Sequence, residues 1–172
     1  MVYNRRRGTA IVEFPEGILV VSDNSDKSKS FMLAGGKAHE GESRRSAAMR
    51  ELKEETGLEP LESKYLFPHK GRLHRTYNGK GHFRDYHKVF LVTVNGTPKP
   101  QGEVKRIAFF KNGSGLKLSY STREIIDRFL AMKGEGFKPV DCKKCGGGTF
   151  KPSRKIPNAL ECDHCGNFYI KS

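Results

Sequence analysis

The apolar positions along the chain divide into short alternating runs and two longer stretches of helical period. Residues 8–14 and 17–22 read as strands joined at Pro15-Glu16-Gly17, a hairpin signal. The polar run 23–29 predicts a loop, and Phe31-Met32-Leu33 is a short apolar stretch that ends at Gly35-Gly36. Residues 42–56 read as a helix closed by Gly57. Three further strands are predicted at 64–67, 82–94 and 104–110. Ser121-Thr122-Arg123-Glu124 has the spacing of a capping box and opens a second helix, with Ile125, Ile126, Phe129, Leu130 and Met132 as its apolar stripe. This order predicts an α/β or α+β domain over residues 1–135. The polar, Gly-rich stretch 133–139 then leads into a small second module, residues 136–172.

Composition narrows the class. With 172 residues, 35% hydrophobic, and a mean hydropathy of −0.65, the chain has material for one main core with charged loops around it. No run approaches the roughly 18 apolar residues of a membrane-spanning helix, and Met1-Val2-Tyr3-Asn4-Arg5-Arg6-Arg7 lacks the apolar core of a secretory signal. A soluble, cytoplasmic protein with no membrane partner is expected. Thirty-two Lys plus Arg against nineteen Asp plus Glu give a net charge of +13, a field that favours polyanions such as nucleotides or nucleic acid. Residues 140–172 hold +3 of that charge and the remainder +10, so the main domain carries most of the field.

The four cysteines form two Cys-x-x-Cys pairs, Cys142 with Cys145 and Cys162 with Cys165, separated by 16 residues. That spacing is close to the zinc ribbon, in which each pair sits on a tight turn and four thiolates complete a tetrahedral shell. Gly146 and Gly166 follow the pairs and let the backbone fold back toward the sulfurs. Disulfides are disfavoured in a cytoplasmic chain, and a redox motif needs one pair and not two. Structural Zn2+ is therefore expected at Cys142, Cys145, Cys162 and Cys165. His164 lies within the second turn, but four thiolates already fill the shell.

The chemistry concentrates in residues 36–58. Glu51, Glu54 and Glu55 fall at i, i+3 and i+4, so three carboxylates share one helical face, although like charges at that spacing repel by some tenths of a kcal/mol. Ala48, Met49 and Leu52 form the stripe expected to dock the helix, and Ala47, on the acidic face, is small enough to leave room for metal and phosphate. An acidic face of this kind suits hard cations with oxygen ligands, Mg2+ or Mn2+. A solvated charged face is the ordinary fate of such a run, and these glutamates alone would not displace that reading.

The full pattern does. Gly36, Glu42, Arg50, Glu51, Leu52, Glu54, Glu55, Gly57 and Leu58 reproduce without departure the signature of the Nudix hydrolase family. At ordinary residue frequencies a chance match in such a chain is on the order of one in ten million. The chain resembles that family over about residues 5–135. The resemblance implies an α/β/α sandwich with a mixed sheet, followed here by the small zinc ribbon. It implies a Nudix-type pyrophosphohydrolase, in which divalent metal helps water cleave a nucleoside diphosphate-linked substrate. On this likeness Glu54 and Glu55 are the principal Mg2+ ligands, joined by the Gly35 carbonyl, and Glu51 is a further ligand or the base. Arg50 holds a glutamate in place, Glu42 orients the loop, and Glu103 adds an acidic group from a later loop. Ala34 stands where many relatives carry Pro, which alters loop rigidity more than chemistry.

Substrate identity is less legible. The chain has no Trp, unlike the array after the box of the family's NADH pyrophosphatases, and those enzymes carry their ribbon ahead of the catalytic domain. Pro68 and Tyr77 miss the offsets at which ADP-ribose and dinucleoside polyphosphate members have their Pro and Tyr. Nucleoside triphosphates and nucleoside diphosphate derivatives remain, with Arg7 and Lys37 as candidate phosphate contacts. Phe83, Tyr86 and Phe90 read as packing residues, and His69, His74, His82 and His87 as loop or strand residues. The alternative reading is a nucleic-acid-associated protein whose basic scaffold and ribbon bind RNA or DNA and process RNA 5′ ends. A homodimer is compatible with either.

Overall fold

A computed structural model describes residues 2–134, 150–152, 159–162 and 165–170. A four-stranded mixed sheet has the order β4-β1-β6-β5, where β1 is Val2–Ile11, β4 Gly35–Lys37, β5 Glu59–Arg75 and β6 His82–Asn95. β1 runs parallel to β6 and antiparallel to β4, while β5 and β6 pair antiparallel. A second, antiparallel sheet joins β2 (Glu13–Phe14), β3 (Gly17–Ser22) and β7 (Arg106–Phe110) in the order β2-β3-β7. Helix α1 spans Arg44–Thr56 and helix α2 Tyr120–Gly134.

Alternation along the strands feeds two cores on opposite faces. Ala10, Leu19, Val21, Phe90 and Val92 pack with Ala48 and Leu52 of α1. Ile11, Ile18, Val20 and Val89 pack with Ile125, Ile126 and Phe129 of α2. The result is an α/β/α sandwich with mixed strand directions, its strands divided between two sheets. Helix α1 lies directly on β1: a Cβ on Gly8 would stand 1.9 Å from the Arg44 carbonyl oxygen, so only glycine permits this approach.

The C-terminal end of α1 follows the predicted signal, while its start falls at Arg44, two residues after the expected one. Ser43 caps it from an extended conformation and accepts from the Ser46 amide, and Gly57 closes it in the left-handed region at φ 70°. Elsewhere the structure differs from expectation. β5 has 17 residues where only 64–67 were legible, because Pro60, Pro68 and Gly71 read as breakers. Register shifts in the pairing with β6 accommodate Pro60 and Gly71, while Pro68 keeps its register opposite Lys88. β1 starts at Val2 because its polar first half is held by β6. The capping box of α2 does not form: the helix begins at Tyr120, Thr122 Oγ1 accepts from the Leu33 amide, and Glu124 turns toward His69 and Arg72.

Beyond α2, β8 (Phe150–Pro152), β9 (Ala159–Cys162) and β10 (Phe168–Ile170) form a small antiparallel sheet in the order β10-β9-β8. The expected domain boundary at 135/136 falls outside the described residues, as do Cys142, Cys145 and His164.

Candidate functional site

Glu42, just before α1, and Glu51 and Glu54 on it gather around one guanidinium. Arg50 Nε donates to Glu42 Oε1 at 2.9 Å and Nη2 to Glu42 Oε2 at 3.0 Å, a bidentate pair. Its Nη1 reaches Glu51 at 2.9 Å and Glu54 at 3.1 Å, and Nη2 also donates to the Lys37 carbonyl at 3.2 Å. Glu42 further accepts from the His39 amide at 2.8 Å. The Arg50 hydrogen bonds, aided by this amide, hold the Glu42 carboxyl down at about 2. Arg50 thus ties the loop before α1 to the helix.

Two glycines form a shelf beside these carboxylates. A Cβ on Gly36 would lie 2.1 Å from Glu51 Oε1, so the missing side chain is the space Glu51 occupies. Gly35, at φ 148°, backs onto β1, where a Cβ would meet the Gly8 carbonyl at 2.3 Å. Its amide donates to Glu55 Oε2 at 3.1 Å, and its carbonyl accepts from Arg7 Nη2 at 3.0 Å. Glu55 is largely buried. Desolvation, together with the nearby charges of Glu51 and Glu103, lifts its carboxyl to about 7 against the pull of Gly35 and Arg7.

Glu103 reaches this field through the end of α1. Helix C-termini leave carbonyls without partners, and here the Gln101 amide donates to Glu55 O at 3.0 Å and the Lys99 amide to Thr56 O at 2.9 Å. The loop is thereby pinned to α1, and Glu103 follows two residues later. Glu42, Arg50, Glu51, Glu54, Glu55, Glu103 and Gly35 are all brought to one region. Lys37 is exposed beside it, opposite Arg7 in the β1–β4 register. Ala47 corrects the sequence reading: it is fully buried, so it belongs to the packing face with Ala48 and Leu52, whereas Met49 is half-exposed.

Arg7 also lines a cavity of about 430 Å³ on the α2 side of the mixed sheet. Its walls come from β1, β5, β6 and the start of α2, and include Arg5, Thr9, Asp85, His87 and Tyr120. Arg5 grips Asp85 with two hydrogen bonds, at 2.6 and 2.8 Å. Burial raises the Asp85 carboxyl, but the Arg5 bonds and the charge of Arg7 outweigh it and leave a net lowering. Thr9 Oγ1 lies 2.8 Å from His87 Nδ1. Burial, with the positive charge of Arg7, pushes His87 down to about 4, so its ring is neutral at pH 7. Sequence reasoning passed over Thr9 and Asp85, read His87 only as a loop or strand residue, and reached Arg5 only as one of three arginines that could hold phosphates. The available signal was the lone acid Asp85 in a basic, aromatic stretch.

Among the described residues no three Asp, Glu, His or Cys side chains converge as a ready-made metal group. Glu42, Glu51 and Glu54 turn to Arg50, and Glu55 turns to the Gly35 amide. Of the cysteines, Cys162 is buried at the end of β9 and Cys165 is exposed on the turn that follows. Gly166 closes that turn at φ 72°, its amide donating to the Cys162 carbonyl at 3.0 Å. No helix among the described residues is long and apolar enough to cross a membrane.

Comparison with known proteins agrees with this geometry. The NUDIX domain profile matches residues 4–129. A nudix hydrolase family member from Chromobacterium violaceum is similar at 37% identity and a TM-score of 0.62, over 77% of this chain and 84% of that one. A MutT NUDIX hydrolase from Burkholderia pseudomallei (20% identity, TM-score 0.58, 72% and 96% covered) and a UDP-X diphosphatase (20%, 0.59, 79% and 65%) share the fold. No curated protein matches the chain. With the profile covering most of the chain and the box residues assembled on α1, the chain belongs to the Nudix family, as a pyrophosphohydrolase of that type.

Proposed function

We propose that the protein hydrolyses a nucleoside triphosphate or a nucleoside diphosphate derivative, using Mg2+ or Mn2+ held by Glu51, Glu54 and Glu55 with the Gly35 carbonyl and Glu103 beside them. The donor set fits a hard divalent cation, being oxygen throughout and mostly carboxylate. Burial, with a smaller push from Glu51 and Glu103, lifts the Glu55 carboxyl to about 7, and a cation beside it would offset both. When bound, the metal polarises phosphate oxygens and offsets the charge of attack. The chain's own groups do the rest. Arg50 acts as a positioning residue that fixes Glu42, Glu51 and Glu54 relative to the loop. Water adds to one phosphorus, the bond to the bridging oxygen breaks, and the water proton passes to a glutamate carboxylate, which is Glu51 where Glu54 and Glu55 alone hold the metal.

The observation that carries this reading is Arg7, which lies against both the Gly35 carbonyl and the cavity. A nucleoside in the cavity would present its phosphates to Arg7 and Lys37 and, past them, to the glutamates. The cavity is of nucleoside size, with the planar Tyr120 and the Arg5–Asp85 pair in its walls. In the second module we propose a structural Zn2+ on Cys142, Cys145, Cys162 and Cys165.

Nucleotide or phosphate release with magnesium, measured over nucleoside triphosphates, ADP-ribose, NADH, dinucleoside polyphosphates and capped RNA, tests the proposal. One class should be cleaved selectively, and Glu54→Gln should lower its turnover about a thousandfold with the fold intact. Unchanged turnover in that variant would refute the assigned site.

A further inference from the structure

The mixed sheet continues past the cavity as a basic, aromatic surface. Register aligns its side chains in rows across three strands: Tyr3 opposite Phe83 opposite His74, then Arg5 opposite Asp85, then Arg7 opposite His87 opposite His69. In the outer row His74 stacks on Phe83 at 5.1 Å and an interplanar angle of 21°, and the Arg5 guanidinium lies 3.9 Å from the Phe83 ring centroid. Across the cavity mouth Arg72 covers Tyr120 at 3.7 Å. Tyr3 is 53% exposed, whereas Tyr120, 65% exposed, has one ring face covered by Arg72. Phe83 and His74 line the cavity while Tyr3 lies beyond it, so the planar row starts inside and runs out.

The cavity face carries Arg5, Arg7 and Arg72 against two acids, Asp85, which Arg5 already holds, and Glu124, 3.6 Å from Arg72. The chain around it has a net charge of +13. A single nucleotide in the cavity would leave Tyr3, which lies beyond it, unused. A duplex hides its base faces from such a row. A single strand offers both phosphates for the cations and unstacked bases for the rings.

We propose that this face binds single-stranded nucleic acid, with bases stacked on the exposed rings of Tyr3 and His74, which Phe83 supports from beneath, and backbone phosphates held by Arg7, Arg72 and the positive field of the chain. The partner is recognised by stacking and charge, and sequence preference is weak. The inference shares a location with the hydrolytic site but does not depend on hydrolysis.

Fluorescence anisotropy of the full chain with a labelled strand of about 12 nucleotides, and with the matching duplex, tests it without added divalent metal. The strand should bind about tenfold more tightly than the duplex, and should weaken steeply between about 50 and 200 mM salt. Tyr3→Ala changes no charge and should weaken strand binding about tenfold, while Tyr3→Phe retains it. Lys111→Ala, which removes a cation next to β7 on the other sheet, should change binding little. Equal binding of duplex and strand, no loss in Tyr3→Ala, an equal loss in Lys111→Ala, or no binding at low salt would each overturn the proposal. Turnover of small nucleotides is read separately, so a failure of either assay does not decide the other.

Discussion

The acidic face of α1 and the cavity wall on β1 and β6 meet at Arg7 and Gly35, yet they are built in opposite ways. On α1 every contact of Arg50 is with a residue at most thirteen positions away, and the group organised is anionic. In the cavity Arg5 meets Asp85 across 80 positions and Thr9 meets His87 across 78, joined by parallel strand pairing, and the surroundings are cationic. A local, acidic device suits a constant chemistry with metal and phosphate. A long-range, basic wall can change residue by residue without disturbing it, and that suits selection of the ligand.

The largest expected effect comes from prising the two regions apart. Gly8→Ala places a methyl against the Arg44 carbonyl and the Ala48 amide, backbone that cannot yield cheaply. It should cost about 3 kcal/mol in urea unfolding and lower turnover as well. Loss of turnover without loss of stability would mean that α1 and β1 are not coupled through this contact.

Arg50→Ala breaks the acidic region alone. It releases Glu42, Glu51 and Glu54 together, and kcat should fall about a hundredfold with KM less affected. Arg50→Lys should recover only part, since an ammonium cannot make the bidentate bond to Glu42. Full recovery by lysine would show that charge, and not geometry, is what Arg50 supplies.

His87→Gln perturbs the cavity wall and is read by pH. The folded protein holds His87 at about 4 against an ordinary 6.5, so the unfolded chain takes up the proton first. Its neutral burial therefore contributes full stability above about 6.5, and that contribution is lost as pH falls toward 4. The lifted Glu55 carboxyl acts in the opposite sense, its stabilisation fading as pH rises from its ordinary 4.5 toward about 7. Wild-type stability should thus vary little over this range, and the wild-type minus His87→Gln difference should change by on the order of 2 kcal/mol between pH 4.5 and 7. A flat difference would show that the ring is not held neutral.

The two regions also differ in how far the sequence reveals them. The extent of α1 to within two residues, its Gly57 cap and the grouping of Glu51, Glu54 and Glu55 are all local, and periodicity with residue type reaches them. The Arg5–Asp85 and Thr9–His87 pairs depend on the β1–β6 register, which no local pattern encodes. β5 was hidden by its own breakers: Pro60 and Gly71 sit at shifts in pairing, and Pro68 is carried in register opposite Lys88. Ala47 was misplaced because a face of the helical wheel does not say which side meets the sheet. Only the Gly8 contact decides that, and it comes from β1.

The most direct test compares kcat and KM for Glu54→Gln and Asp85→Asn on the substrate that wild type cleaves best. Glu54→Gln should lose about a thousandfold in kcat, while Asp85→Asn should act mainly on KM, by about tenfold, with kcat largely kept. A kcat collapse in Asp85→Asn alongside a near-normal Glu54→Gln would contradict the division between an acidic region that performs the chemistry and a basic wall that selects the substrate.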